Sequence, residues 1–317
     1  MIEEEILSIL EEFGALSSKE IETKLRLRGI NLKARTIRYH LKKLEERGLI
    51  RRNSSGKAEL TEDGTNRLKR NSAFERLGEF SERIEFNVYF CDFDLYRMRG
   101  IVPTNVAVID KNDFDQVMSI LKELRDFPFL IHNSVAFADE GETLGNFEVP
   151  KGKFAIGTIS NTIYDVILRS VGINTYPEFT ALLSVEDMQP KGITELISYV
   201  GTTLSPGWLL LKSGLTSVNL VRKTGRGEIL AAVRTFSRYA IDLVKKEIEI
   251  AISKGFRGVI AILHPADKRF PLPIGRRARI IISAGLNHLA PLHESGVKMD
   301  IMVNEIFVDF SEFKLID

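Results

Sequence analysis

The sequence predicts an α/β (α+β) protein, in which an N-terminal winged helix-turn-helix precedes a larger domain of two related α/β subdomains. Three observations predict this fold class: a strongly basic amphipathic helix pattern near the N-terminus, a β-hairpin pattern directly after it, and an internal repeat in the remaining chain. The expected domains are the winged helix at 1–72, a helical linker at 73–82 and the larger domain at 83–317. The two halves of the larger domain are expected at about 83–188 and 189–317.

The composition is that of an ordinary globular protein. The chain has 317 residues, enough for about two or three domains of roughly 100–200 residues each. Hydrophobic residues make up 44% and charged residues 27%, and no apolar run reaches the ~18 residues of a membrane span. The acidic start, MIEEEILSIL, lacks the basic region of a secretory signal, and the single cysteine, Cys91, excludes an intramolecular disulfide. These features predict a cytoplasmic protein that makes no contact with a membrane.

The formal net charge of +1 hides an uneven distribution of charges. Residues 1–72 contain 16 Lys and Arg against 12 Asp and Glu, whereas the rest of the chain contains 28 against 31. Between Lys24 and Lys57 there are 12 basic residues and only two acidic ones. A block of one charge sign needs a counter-charge or a solvated face, so this excess is the first feature that points to a function.

The stretch from Lys33 to Arg47 is predicted to form the basic helix, with Gly48 as the left-handed residue that ends it. Leu41, Leu44 and Ile37 recur at helical spacing and form the buried stripe. Three cations and one aromatic residue recur at the same spacing on the other face, namely Arg35, Arg38, Tyr39 and Lys42.

The neighbouring elements complete a winged helix. Two helix patterns precede the basic helix, and the second opens with the capping box SSKE at residues 17–20. After the basic helix, GLIRRNSSGKAELT is typical of two short strands around an Asn-Ser-Ser-Gly turn. In a winged helix the third helix enters the major groove of DNA and the wing reaches phosphates, whereas a merely solvated face is the alternative. The predicted DNA contacts are Arg35, Thr36, Arg38, Tyr39, Lys42, Arg51, Arg52 and Lys57.

The rest of the chain contains an internal repeat. FEVPKGKFAIGTIS at 147–160 aligns with FPLPIGRRARIIIS at 270–283, sharing Phe-x-x-Pro-x-Gly and a closing Ile-Ser. A helix pattern precedes each copy, and a second helix and an apolar strand follow it. The second subdomain is expected to be preceded by a β-hairpin at 216–236 that turns at residues 224–227. The matched order of elements indicates duplication of one α/β subdomain.

Two similar lobes predict a cleft in which a small ligand binds. Each repeat places polar or small residues between a strand and a helix, and a free helix N-terminus suits a carboxylate or phosphate. The same residues are also ordinary helix caps, and Arg276 is also typical of a solvated strand edge. The predicted effector contacts are Ser160, Asn161, Thr162, Thr202, Thr203, Ser205, Arg276, Ser283, Gly285 and Asn287.

Signals for catalysis are weak. The histidines have no metal-binding spacing, and the chain contains no nucleotide-binding or hydrolase motif. His264, at the end of the apolar strand GVIAIL, is the one candidate acid or base, and no nucleophile or carboxylate pair accompanies it. The sequence therefore predicts a protein that is not an enzyme and has no cofactor and no metal ion.

Three longer segments of the sequence carry a family resemblance. A winged helix joined to GKFAIGTIS, ITELISYVGTTLSPGWLLLKSGLTSV and GRRARIIISAGLNHLAPLHESGV resembles the NrpR family of archaeal nitrogen-regulatory repressors over essentially the whole chain. The resemblance implies that the C-terminal domain is an effector-binding regulatory domain. It also implies a dimeric repressor that binds a palindromic operator upstream of nitrogen-assimilation genes and is released when the allosteric effector 2-oxoglutarate rises.

The resemblance leaves three questions of function open. Some members of the family carry two regulatory domains in tandem and this chain carries one, so a second regulatory-domain protein is a possible partner of the expected homodimer. One alternative is an enzyme that acts on an acidic metabolite and carries an appended helix-turn-helix. Another is a regulator that is controlled by a protein partner instead of a metabolite.

Overall fold

The computed structural model describes residues 2–27, 30–71 and 76–316. The chain divides into two compact units, Met1–Leu77 and Gly78–Asp317. Residues 73–75 of the predicted linker lie outside the described residues. Its last residues, 78–82, belong to the second unit, because the first helix of that unit already begins at Glu79.

The first unit is a winged helix, as the sequence predicts. Its elements are α1 (Ile2–Phe13), α2 (Ser18–Leu27), α3 (Ala34–Glu46), β1 (Ile50–Arg52), β2 (Ala58–Leu60) and α4 (Glu62–Asn71). The strands β1 and β2 form an antiparallel hairpin, and a bridge from Leu16 to Ala58 joins the hairpin to the segment between α1 and α2. The capping box is present: the Ser17 amide donates to Glu20 Oε2 at 2.7 Å and the Glu20 amide donates to Ser17 Oγ at 3.3 Å.

Helix α3 is held in place by its apolar stripe. Ile37, Leu41 and Leu44 are fully buried, and the left-handed Gly48 follows the helix, with φ of 71°. The hydrophobic core of this unit takes residues from the three helices, the hairpin and α4: Ile6, Leu7, Ile9, Leu10, Leu16, Ile21, Leu25, Ile37, Leu41, Leu44, Leu49, Ile50, Ala58 and Leu68. Because the apolar face of α3 is used in this core, its basic face is left to solvent.

The second unit contains the two sequence repeats. Its elements up to the end of the first repeat are α5 (Glu79–Phe90), β3 (Ile101–Asp110), α6 (Phe114–Glu123), β4 (Ser134–Asp139), β5 (Thr143–Leu144), β6 (Phe147–Glu148), β7 (Lys153–Ile159), α7 (Ile163–Ser170) and β8 (Tyr176–Glu186). The remaining elements are β9 (Gln189–Ser198), α8 (Pro206–Lys212), α9 (Val218–Thr224), β10 (Gly227–Phe236), α10 (Ile241–Ser253), β11 (Val259–Leu263), β12 (Ala278–Ser283), α11 (Ala290–Glu294), β13 (Met299–Asp309) and β14 (Lys314–Leu315). Both repeats follow the order βαββαβ, with β3 to β8 in the first and β10 to β13 in the second.

The last strand of each repeat pairs with the sheet of the other repeat. The first sheet has the strand order β13-β3-β7-β4-β14 and the second has β9-β8-β10-β12-β11, with all neighbours antiparallel. Strand β8 ends the first repeat and lies beside β10 of the second, while β13 ends the second repeat and lies beside β3 of the first. The predicted boundary at residue 188 therefore separates the sequence repeats but does not separate the two sheets.

The predicted hairpin at 216–236 is wrong. Residues 218–224 form helix α9, in which Val218 and Val221 are buried, and Gly225 ends the helix with φ of 74°. Only the second arm is a strand, β10, and it pairs with β8 and β12. An alternating pattern over a short segment fits either structure, and the packing of the two valines decided in favour of a helix.

Two apolar cores tie the sheets together. One contains Ile109 and Ile156 from the first sheet together with Val233 and Ile281 from the second. The other core also takes residues from both sheets and from α7 and α10. The two lobes therefore share their hydrophobic interior and form one folded unit. In the described part of the chain, no helix combines the length and apolar character needed to cross a membrane.

Candidate DNA-binding surface and ligand chamber

The exposed face of α3 carries the predicted DNA contacts. Arg35, Thr36, Arg38, Tyr39 and Lys42 are all exposed, and the Tyr39 side chain remains 56% exposed. Lys42 lies 3.7 Å from Glu46 within the helix, and Arg38 Nε donates to the Ala34 carbonyl at 3.4 Å. Among the described residues, Arg35 has no hydrogen-bond or ion-pair partner. The structure thus brings together on one solvent-facing surface the side chains that the sequence assigned to DNA.

Each cation of the wing has an acidic or carbonyl partner. Arg51 Nε contacts Glu59 Oε1 at 2.7 Å across the hairpin, and Lys57 Nζ contacts Glu20 Oε1 at 2.9 Å. Arg52 donates from Nη1 to the Gly56 carbonyl at 3.2 Å and lies 3.6 Å from Glu45. Surface ion pairs of this kind contribute about 0–1 kcal/mol, so phosphate oxygens can replace the carboxylates at little cost.

The free guanidinium of Arg35 leads to a test of this surface. We expect Arg35→Ala to weaken binding to a duplex from the protein's own upstream region by about 1–3 kcal/mol, because a bidentate Arg–base contact has that magnitude. The measurement is fluorescence anisotropy at fixed salt. Arg97→Ala, which removes the same charge from an exposed site in the second unit, should leave the affinity unchanged. Equal binding by the Arg35 variant and the unmodified protein would show that Arg35 does not read the DNA.

In the second unit, the two predicted helix-entry turns meet each other. The Gly285 amide donates to Asn161 Oδ1 at 3.3 Å, and a Cβ on Gly285 would lie 2.6 Å from the Ile159 carbonyl oxygen. The turn after β7 and the turn after β12 are equivalent in the repeat, so this contact lies close to the pseudo-twofold axis. Glycine is required at 285 because the two turns approach closely here.

Two predicted effector residues have structural hydrogen bonds. Asn287, fully buried, accepts from the Leu230 amide at 2.9 Å and donates to the Leu230 carbonyl at 2.7 Å. Its Nδ2 also donates to Ser283 Oγ at 2.8 Å, and Ser283 Oγ donates to the Phe129 carbonyl at 2.5 Å. These bonds fix the turn after β12 against β10, so its polar groups are used within the fold.

The other predicted turn and the segment after β9 border a small buried cavity, which we call the chamber. It is lined by Phe80, Asn105, Asn161, Thr180, Tyr199, Ser205, Gly207, Ala231, Ala232, Ala284, Leu286, Val303 and Asn304. The space open to the centre of a water molecule is about 20 Å³, which is enough for one water and too small for a dicarboxylate. Asn105 is 1% exposed and its Oδ1 has no hydrogen-bond partner in the described structure.

Most of the remaining predicted residues make local hydrogen bonds, and of these only Ser205 lines the chamber. Ser160 Oγ donates to Thr162 Oγ1 at 3.3 Å, and Thr162 Oγ1 donates to Asn304 Oδ1 at 3.3 Å. Thr202 Oγ1 donates to the Leu204 carbonyl at 2.8 Å, and Ser205 Oγ accepts from the Trp208 amide as the N-cap of α8. Thr203 is half-buried next to them. Of the ten predicted effector contacts, only Asn161 and Ser205 line the chamber, and most of these hydroxyls have a partner in the fold.

The sequence patterns did not single out Arg234, whose Cζ lies 5.2 Å from the ring centroid of the chamber residue Tyr199. Arg234 is 0% exposed, and its Nε contacts Asp165 Oδ2 at 3.0 Å. Nη1 and Nη2 have no hydrogen-bond partner in the described structure. Burial alone lowers the pKa of the guanidinium, but the nearby Asp165 and Tyr199 outweigh it and raise that pKa, so the group stays charged. The signal was visible in the sequence, because a lone arginine interrupts the apolar strand ILAAVRTF.

A larger cavity, about 440 Å³, lies beside the loop between β11 and β12. His264, Lys268 and Arg277 line it, and Arg279 at its edge is held by a bidentate contact to Glu178 at 2.6 and 2.8 Å. Arg276 is exposed and is not among the residues that line this cavity or the chamber. His264 Nδ1 accepts from the Ala266 amide at 3.2 Å. Within the described ranges, no group of three or more His, Cys, Asp and Glu side chains is arranged to hold a metal ion.

Fold and surface together define a winged-helix regulator: a DNA-binding unit with an exposed basic helix, joined to a second unit that contains a small chamber. Comparison with known proteins gives the family. Residues 77–315 match the NrpR regulatory domains NRD1 and 2, and residues 4–68 match the winged-helix domain of ribonuclease R. The chain therefore belongs to the NrpR family. This membership confirms the predicted resemblance and the prediction of a regulator that is not an enzyme.

Individual relatives agree with this assignment. The chain is 26% identical over 313 residues to the global nitrogen regulator NrpRI of Methanosarcina mazei, covering 98% of this chain and 96% of that protein. It is also 26% identical over 325 residues to the global nitrogen regulator NrpR of Methanococcus maripaludis, covering 99% of this chain and 55% of that protein. The crystal structure of a nitrogen repressor-like protein from Methanococcus jannaschii has the same fold as 75% of this chain and 98% of its own, with a TM-score of 0.63 and 19% identity.

Proposed function

We propose that this protein is a transcriptional repressor of nitrogen-assimilation genes that leaves its operator when 2-oxoglutarate binds to the second unit. The observation that carries the proposal is the exposed basic face of α3, with an unpaired Arg35, in a chain of the NrpR family. The relatives named as global nitrogen regulators support the choice of regulated genes. The buried guanidinium of Arg234 in the second unit, whose Nη1 and Nη2 have no hydrogen-bond partner in the described structure, supports control by a small acidic molecule.

The proposal includes a homodimer on a palindromic operator. Two winged helices related by a twofold axis place their recognition helices about 34 Å apart, one turn of DNA. The effector must bind better to a dimer geometry that breaks this spacing than to one that keeps it. A 100-fold loss of operator affinity requires about 2.7 kcal/mol of differential binding, within the usual range of allosteric coupling.

A second regulatory-domain protein also belongs to the proposal as a partner. The chain spans about half the length of the Methanococcus maripaludis relative and nearly all of the Methanosarcina mazei one, so relatives of both lengths exist. In a mixed complex, the partner protein would supply a second regulatory domain to this chain. The longer relatives are long enough to contain such a domain in the same chain. Light scattering of the purified protein, alone and with its operator, measures whether the homodimer forms without such a partner.

The function is tested by titrating 2-oxoglutarate into a complex of the protein with a fluorescent duplex from its own upstream region at fixed salt. We expect 2-oxoglutarate to release the duplex, while glutamate and succinate at the same concentrations do not. A duplex of scrambled sequence controls for non-specific binding, which depends strongly on salt. Tight binding that ignores all three acids would refute effector control, and absence of specific binding would refute the repressor.

A further inference from the structure

The unpartnered guanidinium nitrogens of Arg234 require an explanation. Arg234 lies on β10, and its ion pair with Asp165 on α7 uses Nε only. The second carboxylate oxygen of Asp165 accepts from Thr175 Oγ1 at 2.5 Å. A buried charged donor without a partner is costly, and buried ion pairs gain stability only when their remaining hydrogen bonds are made. A purely structural role therefore explains Nε and the contact with the Tyr199 ring, but leaves Nη1 and Nη2 without a hydrogen bond in the described structure.

The position of Arg234 connects it to the chamber. Ala231 and Ala232, shortly before Arg234 on β10, both line the chamber, although Arg234 itself is not one of its lining residues. The Arg234 Cζ lies 5.2 Å from the ring centroid of Tyr199, and Tyr199 lines the chamber with Thr180, whose Oγ1 donates to Tyr199 Oη at 2.9 Å. The guanidinium therefore lies against a residue that lines the chamber, and a second polar group without a hydrogen-bond partner in the described structure, Asn105 Oδ1, lines the same chamber.

We propose that Arg234 anchors one carboxylate of an acidic metabolite through Nη1 and Nη2, and that this ligand enters the chamber by displacing helix α5. A planar guanidinium binds a carboxylate with two parallel hydrogen bonds, and these charge-assisted bonds are strong in a buried site. The amide of Asn105 contacts the rest of the ligand, since either its donor or its acceptor side can be presented. This inference rests on the proposed function only in taking a small carboxylate as the effector.

Helix α5 covers the site. Phe80 lines the chamber and stacks on Tyr199 with ring centroids 5.9 Å apart, and Ile84, one turn later, lines a cavity of about 30 Å³ that Asp165 also borders. Asn87 Nδ2 donates to the Asn304 carbonyl at 2.7 Å. Neither cavity has room for a dicarboxylate while α5 occupies this position, so binding requires the helix to move.

Displacement of α5 would also allow ligand binding to affect the DNA-binding unit. The helix begins at Glu79, directly after the end of the first unit at Leu77. Any ligand that binds only when α5 has moved pulls the equilibrium toward the moved state by its differential affinity. The chain that leads into the winged helix is thus the part of the second unit that responds to the ligand.

The pair of Arg234 and Asp165 has no counterpart at the equivalent positions of the sequence repeat. With the offset of the two repeat motifs, 123 residues, the position equivalent to Asp165 is His288. The strand position equivalent to Arg234 is Val106, because Arg234 pairs with Ile280 and Val106 pairs with Gly157. The second lobe therefore has neither the guanidinium nor the carboxylate.

The test is a comparison of two conservative variants of the full chain. Arg234→Lys keeps the charge that pairs with Asp165 and removes the planar fork, so we expect at least tenfold weaker binding of 2-oxoglutarate by calorimetry. The matched control is Arg277→Lys at the larger cavity, where the same change should leave binding intact. Glutarate, succinate and inorganic phosphate serve as additional probes.

The binding results of the two variants distinguish the Arg234 site from the larger cavity. Unchanged binding by Arg234→Lys, or a loss confined to Arg277→Lys, would overturn this inference while effector control of DNA binding stands. No binding of any carboxylate by the unmodified protein would overturn both, and tighter binding of phosphate would overturn the carboxylate assignment. If the Arg234 variant does not fold, amide exchange in the unmodified protein decides: residues 79–90 should exchange faster with ligand, and unchanged or slower exchange would contradict the displacement of α5.

Discussion

Replacing Gly285 by alanine is expected to lower the free energy of unfolding of the second unit by about 3 kcal/mol, because it inserts a methyl group between two fixed turns. The new Cβ would lie 2.6 Å from the Ile159 carbonyl oxygen, 2.7 Å from Asn105 Nδ2 and 2.9 Å from the Ser160 Cα. Two of these atoms are backbone, which cannot rotate away as a side chain can. The measurement is urea unfolding followed by fluorescence of Trp208, which lies in the second unit.

The matched control is Gly192→Ala. A Cβ at Gly192 meets nothing within 4 Å, so the same change should leave the unfolding midpoint nearly unchanged. The Gly285 variant is also expected to lose its response to an effector, since the turns that meet there border the chamber. A variant with the stability of the unmodified protein would show that the two lobes separate easily at this contact.

The second large effect expected is acid destabilisation of the second unit between pH 6.5 and 4. Burial, assisted by Arg257, lowers the pKa of His132 to about 4, and burial, assisted by His132, lowers the pKa of His288 to about 4. Well above pH 6.5 both rings are neutral in the folded and in the unfolded state. Below pH 6.5 the unfolded chain binds protons that the folded protein does not. The free energy of unfolding therefore decreases as the pH is lowered.

The size of this effect follows from the two shifts. Each histidine removes about 1.4 kcal/mol per pH unit between its unfolded pKa of about 6.5 and its folded pKa, so both together remove about 3 kcal/mol at pH 5.5. Urea midpoints at pH 7.5 and 5.5 measure the loss. His288→Leu should halve the dependence on pH, while His264→Gln, at an exposed histidine, should leave it as it is. Equal stability at both pH values would show that the two rings are accessible to protons.

The DNA-binding unit was predictable from sequence because its signals are local. The capping box at residues 17–20, the stripe of Ile37, Leu41 and Leu44, and the terminating Gly48 each act within a few residues of the chain. Their order identifies a winged helix before any long-range contact is considered. The basic residues of α3 need only lie on the face opposite the stripe, which helical geometry guarantees.

The sequence by itself also determined that the second unit is duplicated, since the repeat at 147–160 and 270–283 needs no coordinates to be recognised. Only the tertiary structure decided how the copies combine. Strands β8 and β13 each join the sheet of the other repeat, and β13 pairs with β3 across more than 100 residues of sequence. No local sequence pattern encodes which sheet a strand joins. The pairing of Arg234 with Asp165, 69 residues apart, has the same origin. A buried arginine is visible in the sequence, but its partner and its free nitrogens are fixed by the packing of two halves against each other.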